Sequence, residues 1–146
     1  MIVYLDSSVL ARAYLADEPG HTEAVALLED PEVAVITGTW TRIEVSGALV
    51  RAAHLGRGRA DDLLALLDAD LGPSGAVTVV EASQHRVEDE ALRLVREHGL
   101  RAMDAWHLAV ASLTLPRLAE PGEVTGFASR DEAQRAVASL MGFEPV

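Results

Sequence analysis

Ile2-Val3-Tyr4-Leu5-Asp6-Ser7-Ser8-Val9-Leu10 opens the chain, and the change of character at Asp6 decides the fold class. Four apolar, β-prone residues stop abruptly at an acid followed by two hydroxyls, as a buried strand does where it hands over to a helix N-terminus. Val9, Leu10, Ala13 and Tyr14 follow helical spacing toward Pro19-Gly20, and residues 22–29 read as a second short helix before Asp30-Pro31. Residues 33–36 form the next apolar run. From Thr41 the period becomes 3.6 through Ile43, Val45, Ala48, Leu49, Ala52 and Ala53, which predicts a long helix ending near Gly56. A further leucine stripe runs over 63–71 and a strand over 76–80. Helices are expected over about 87–98 and 103–115, the second stopped by Pro116. A strand over 124–128 and a helix over 131–140 follow, and 143–146 is the candidate for a closing strand. Strands alternating with helices predict an α/β protein with a mostly parallel sheet of four to five strands. No repeat or linker divides the chain, so one domain over 1–146 is expected.

Composition narrows the chemistry. None of the 146 residues is cysteine, which excludes disulfide frameworks, iron–sulfur sites and thiol nucleophiles. All 12 basic residues are arginine; without lysine there is no P-loop and no Schiff-base chemistry. With 23 acids the formal charge is −11, a poor basis for sequence-independent binding to nucleic acid. Residues 105–116 are the longest stretch free of Asp, Glu and Arg, far short of the ~20 apolar residues of a membrane span. The N-terminus lacks the basic region of a signal peptide, so a cytoplasmic protein without a membrane partner is expected.

Most acids belong to solvated helix faces, but four do not. Asp6 follows the first strand, where open α/β sheets place their sites. Glu44 lies between Ile43 and Val45, Asp104 opens an otherwise uncharged helix, and Asp131 follows the fourth strand. Each has a plain reading as a helix cap: Asp6 directly, Glu44 in a Thr-x-x-Glu box with Thr41, and Asp104 and Asp131 as first-turn acids, with Ser129 and Glu132 forming a second box. Jointly they read differently, because such strand and helix ends can converge at one edge of a sheet. Carboxylates gathered there repel one another unless a cation joins them. Mg²⁺ or Mn²⁺ takes oxygen ligands, activates bound water and clamps phosphate.

The order of these segments resembles a known family. Asp-Ser-Ser after the first strand, Thr-Arg-Ile-Glu-Val-Ser-Gly-Ala-Leu-Val-Arg at 41–51, Asp-Ala-Trp-His-Leu-Ala-Val-Ala at 104–111 and Phe-Ala-Ser-Arg-Asp at 127–131 look like a PIN-domain ribonuclease. More narrowly they resemble the VapC toxins of bacterial toxin–antitoxin pairs. The resemblance implies a three-layer α/β/α fold and an endoribonuclease that hydrolyses phosphodiesters with Mg²⁺ or Mn²⁺ and metal-activated water. It implies Asp6, Glu44 and Asp104 as the metal-site acids, Asp131 as a more variable fourth, and Ser8 and Ser129 as supporting residues. His107, one turn from Asp104, is either a core histidine bonding a neighbour or a base. Arg12, Arg42, Arg101 and Arg130 flank the acids in sequence; they read as ordinary surface arginines by default, with one or two as the alternative bidentate contacts to substrate phosphate. The implied partners are RNA, a VapB-like antitoxin on the helices of 11–15 and 47–67, and a second copy of the chain in a homodimer. A mean hydropathy of +0.16 in a chain with 24% charged residues agrees with such interfaces. The alternative is a non-catalytic binding module whose acids are helix caps.

Overall fold

The computed structural model describes all residues, 1–146. Five strands, β1 (Ile2–Leu5), β2 (Ala34–Gly38), β3 (Val77–Val80), β4 (Thr125–Ala128) and β5 (Glu144–Pro145), form one sheet in the order β3-β2-β1-β4-β5. Every pairing is parallel, and β1 lies at the centre with Tyr4 beside both Ile36 and Phe127. The seven helices are α1 (Ser7–Ala13), α2 (His21–Glu29), α3 (Trp40–His54), α4 (Ala60–Asp70), α5 (Gln84–His98), α6 (Ala102–Leu118) and α7 (Glu132–Leu140).

The pleat of β1 builds the three layers. Successive side chains point to opposite faces of a sheet. Ile2 and Tyr4 therefore join the core under α5, α6 and α7, with Leu94, Leu108, Phe127 and Val137. Val3 and Leu5 join the opposite core under α1, α3 and α4, with Leu10, Leu49 and Leu67. A strand covered on both faces is apolar throughout, which is why Ile2–Leu5 shows no polar alternation. The fold is thus a three-layer α/β/α sandwich around a parallel sheet.

Local boundaries depart from the sequence expectations in three places. Helix α1 ends at Ala13, well before Pro19. Helix α6 runs through Pro116 to Leu118, because a proline in the last turn forfeits only the bond to the Ser112 carbonyl. The two proposed capping boxes are not made. Helix α3 begins at Trp40, and the Thr41 hydroxyl meets Thr37 Oγ1 at 2.7 Å instead of capping a backbone N–H. At α7 the cap is Asp131 itself, whose Oδ1 accepts from the Gln134 N–H at 2.9 Å.

The topology sets the site. From β1 the chain builds β2 and β3 on one side and β4 and β5 on the other, so strand order reverses between β1 and β4. Open parallel sheets bind ligands at the carboxyl ends of the strands flanking such a switch point. Asp6 follows β1 there, and Ser129 and Asp131 follow β4. No helix is long and apolar enough to cross a membrane.

Candidate active site

Asp6, Glu44, Asp104 and Asp131, brought from positions as far as 125 residues apart in sequence, line one cavity of about 610 Å³ together with Ser7, Ser8, Arg101 and Arg130. Four separate elements supply the acids: the end of β1, the second turn of α3, the first turn of α6 and the cap of α7.

Asp6 is only 6% exposed. Its Oδ2 accepts from Ser8 Oγ at 2.8 Å and Ser129 Oγ at 3.1 Å, which leaves Oδ1 without a hydroxyl partner. Ser129 has one proton and two claimants, since Gln134 Oε1 stands 2.5 Å from the same hydroxyl; it serves one at a time. Gln134 in turn donates to the Asp104 carbonyl at 3.0 Å, so α6 and α7 are tied together beneath the acids.

Glu44 does not cap its helix. Its Oε1 accepts from Ser7 Oγ at 2.8 Å and His107 Nε2 at 2.7 Å, leaving Oε2 free. His107, 1% exposed, is oriented from behind. Gly38 N–H donates to Tyr4 Oη at 3.0 Å, so the phenol hydrogen goes to His107 Nδ1, also at 3.0 Å. The ring then carries its proton on Nε2, shared between Glu44 and Ser7 Oγ at 3.2 Å. Only glycine fits at 38, because a Cβ there would stand 2.7 Å from Tyr4 Oη. Desolvation alone would raise the Glu44 carboxyl, but its hydrogen bond and electrostatic interaction with His107, together with the Ser7 hydrogen bond, outweigh it and hold it below its usual range. Burial pushes the Tyr4 phenol well up, so it stays a donor at any ordinary pH.

Asp104 and Asp131 are held otherwise. Arg101 bridges them, Nε to Asp104 Oδ2 at 2.7 Å and Nη2 to Asp131 Oδ2 at 2.9 Å. Its side chain is 75% exposed. With Oδ1 on the Gln134 amide and Oδ2 on Arg101, Asp131 has no spare oxygen, whereas Asp104 keeps Oδ1. The mutual repulsion expected of bare acids is therefore offset by Arg101 and the His107 hydrogen bond. In this arrangement no three carboxylates or histidines stand close enough together to form a ready cage for a metal ion. The donor set itself fits a hard divalent cation: it is all oxygen, Glu44 Oε2 and Asp104 Oδ1 have no partner, and Asp6 Oδ1 has only His107 Nε2, at 3.6 Å.

Ser8, Ser129 and His107, the expected supporting residues, each touch one of the acids. Sequence inspection passed over Ser7, Tyr4 and Gln134. Ser7 was findable, standing beside Asp6 in the same Asp-Ser-Ser run. Tyr4 and Gln134 were not, because their polar ends matter only through partners 103 and 30 residues away. Arg42 points elsewhere, to Asp68 at 2.7 Å.

No curated protein matches this chain. The PIN domain profile, however, matches residues 3–139, from the middle of β1 to the end of α7, and a match over nearly the whole length, on a fold whose switch point gathers four acids, makes this chain a member of the PIN domain family.

Proposed function

We propose that this chain is a Mg²⁺- or Mn²⁺-dependent endoribonuclease acting as the toxin of a VapBC-type pair. PIN domains are generally nucleases acting on RNA or DNA and generally use divalent metals. The observation that carries the reading is the convergence of Asp6, Glu44, Asp104 and Asp131 on one cavity.

The ion would be held by Asp6, Glu44 and Asp104, with Asp131 assisting, and when bound it supplies neutralising charge for the phosphate and a more acidic water. The chain's own work is positional. Ser8 and Ser129 fix one oxygen of Asp6, and Ser7 and His107 fix one of Glu44, so the remaining oxygen of each points without rotamer freedom. The Tyr4–His107 pair holds Glu44 ionised and oriented from the buried side. Asp131, fully engaged by Gln134 and Arg101, is the acid least free to bind directly, which agrees with its place as the variable fourth.

The toxin reading adds partners. Ile43 on α3, Leu55 just after it and Leu66 on α4 are large apolar residues left exposed, and the net charge of −11 suits a basic protein. A VapB-like antitoxin packing on this side, a homodimer and a cytoplasmic location complete the proposal, with 1–146 acting as a single domain. A non-catalytic module is the second reading, favoured by the capping bond of Asp131 and by the Arg101 bridge.

Cleavage of single-stranded RNA by the purified chain in Mn²⁺, with and without excess EDTA, tests the reaction. Activity unchanged by EDTA refutes the metal role. Absent cleavage together with absent calorimetric Mn²⁺ binding leaves the non-catalytic module. Co-expression with a small neighbouring gene, followed by size-exclusion chromatography, tests the pair.

A further inference from the structure

Arg12 is the anomaly of the molecule. It is 9% exposed, yet its Nη2 is sealed from solvent with no hydrogen-bond partner. A guanidinium is always charged, and an unpaired buried charge costs several kcal/mol. In a chain with 23 acids, Arg42, Arg57, Arg59, Arg93 and Arg101 all have carboxylate partners, and Arg12 has none. Its seat is built. Gly20, at φ +86°, passes so close that a Cβ would stand 2.5 Å from Arg12 Nη1, so a side chain there would displace the guanidinium.

Arg12 lies one turn after Ser8 on α1 and lines a groove of about 540 Å³ between α1 and α3. Arg51 and Arg130 line the same groove, and they too have no carboxylate partner. Arg57 and Glu18 also line it, but they are spent on each other at 2.7 Å. The groove therefore carries three unneutralised guanidinium charges, those of Arg51 and Arg130 exposed and that of Arg12 buried, in a protein that is strongly negative elsewhere. It also adjoins the acid cavity, because Ser8 and Arg130 belong to the walls of both.

We propose that this groove binds a backbone phosphate of the RNA, adjacent to the phosphodiester at the acid cavity, with the exposed Arg51 and Arg130 as its donors and the buried charge of Arg12 beneath them. This rests on the ribonuclease reading. The planar fork of arginine matches phosphate bidentately, and a strand running past Ser8 and Arg130 passes from one cavity into the other. An acidic protein thereby gains a local cationic track where its net field opposes RNA.

Two measurements test this. The first is fluorescence anisotropy with an uncleavable 2′-O-methyl single-stranded oligonucleotide in Mg²⁺ over a range of salt. Arg51→Gln and Arg130→Gln should each weaken binding about three- to tenfold and lower the slope of log K against log salt by about 0.7. Arg117→Gln, at the far end of α6, should do neither. The second is melting in inorganic phosphate without metal. Phosphate should raise the wild-type Tm, the Arg51→Gln/Arg130→Gln double variant should abolish that response, and Arg12→Met should weaken it; if Arg12→Met fails to fold, the double variant carries both tests. Unchanged affinity and slope in the double variant overturn the proposal, whether or not RNA is cleaved. Unchanged RNA binding with a lost hold on a co-expressed protein gives the groove to that protein and overturns it equally. If the wild type cleaves no RNA while the variants still weaken oligonucleotide binding, the ribonuclease reading falls and the phosphate groove stands.

Discussion

On one wall of the acid cavity, Asp6 and Glu44 are held by neutral donors: Ser7, Ser8, Ser129 and an imidazole anchored by Tyr4. On the other wall, Asp104 and Asp131 share one guanidinium whose side chain is 75% exposed. The first wall is organised by buried hydrogen bonds that cannot be exchanged with water cheaply. The second is organised by a surface ion pair, which is weak and exchangeable. The cavity thus has a rigid half and an adjustable half, and a cation entering it would meet fixed oxygens first and displace Arg101 second.

Breaking the rigid half at its centre should have the largest effect. Asp6→Asn keeps the size and one acceptor of the side chain but deletes its charge. Cleavage should fall by at least about a thousandfold, the loss of several kcal/mol of charge stabilisation, while circular dichroism stays native. Residual activity within tenfold of wild type would remove Asp6 from the chemistry.

The support of that wall should matter to stability more than to the reaction. Tyr4→Phe leaves the Gly38 N–H and His107 Nδ1 without a partner in a dry core. That should cost about 1–3 kcal/mol in denaturant melts, with cleavage reduced less than in Asp6→Asn. No measurable loss would mean that Gly38 and His107 find other partners.

The contrast between the walls also explains how much was legible beforehand. Asp6 was readable because β1 is covered on both faces, so an acid ending an unbroken apolar run stands out. Glu44 stood out among apolar neighbours, but its assignment to a capping box with Thr41 was wrong. The helix starts two residues earlier, with Thr39 at the cap position, and Thr37 on β2 captures the Thr41 hydroxyl. Asp131 was readable as both a cap and a site acid, and in the structure it caps α7 while lining the cavity. What sequence could not show is what each acid touches. The Arg101–Asp131 pair spans 30 residues and the Tyr4–His107 bond 103, and both exist only because strand order places β1 beside β4 and α6 beneath the two. The same holds for Arg12, because spacing alone does not separate an ordinary surface arginine from a phosphate contact.

Alkaline titration sharpens the rigid half further. Burial raises the Tyr4 phenol, and burial with the Asp70 hydrogen bond raises Tyr14, both above the ordinary 10.0. A raised folded-state pKa contributes stability that is complete below the unfolded value and lost as pH rises toward the folded one. The two tyrosines are the only ones in the chain. Tyrosinate absorbance should therefore stay absent through pH 10 and appear together with unfolding. A tyrosinate signal at pH 10 in a protein still folded by circular dichroism would show that one phenol is open to solvent.

The smallest effect belongs to the adjustable half. Arg101→Met removes the cation that Asp104 and Asp131 share while keeping much of the side chain's length. Two consequences follow with opposite signs. The metal-free protein should melt slightly lower, because the two carboxylates now face each other without a counter-charge. Mn²⁺ should bind more tightly by calorimetry, within about fivefold, because nothing has to be displaced from Asp104. Both effects should fade as salt rises, since an exposed pair is screened over roughly 8–10 Å at 0.1–0.15 M ionic strength. Adding Asp104→Asn closes a double-mutant cycle. Neutralising Asp104 should be nearly silent in the wild type, where Arg101 already balances it, and should stabilise the Arg101→Met background, where it relieves repulsion from Asp131. If Asp104→Asn destabilises both backgrounds alike, Asp104 is acting through the N-terminus of α6 rather than through Arg101, and the adjustable half reduces to Asp131 alone.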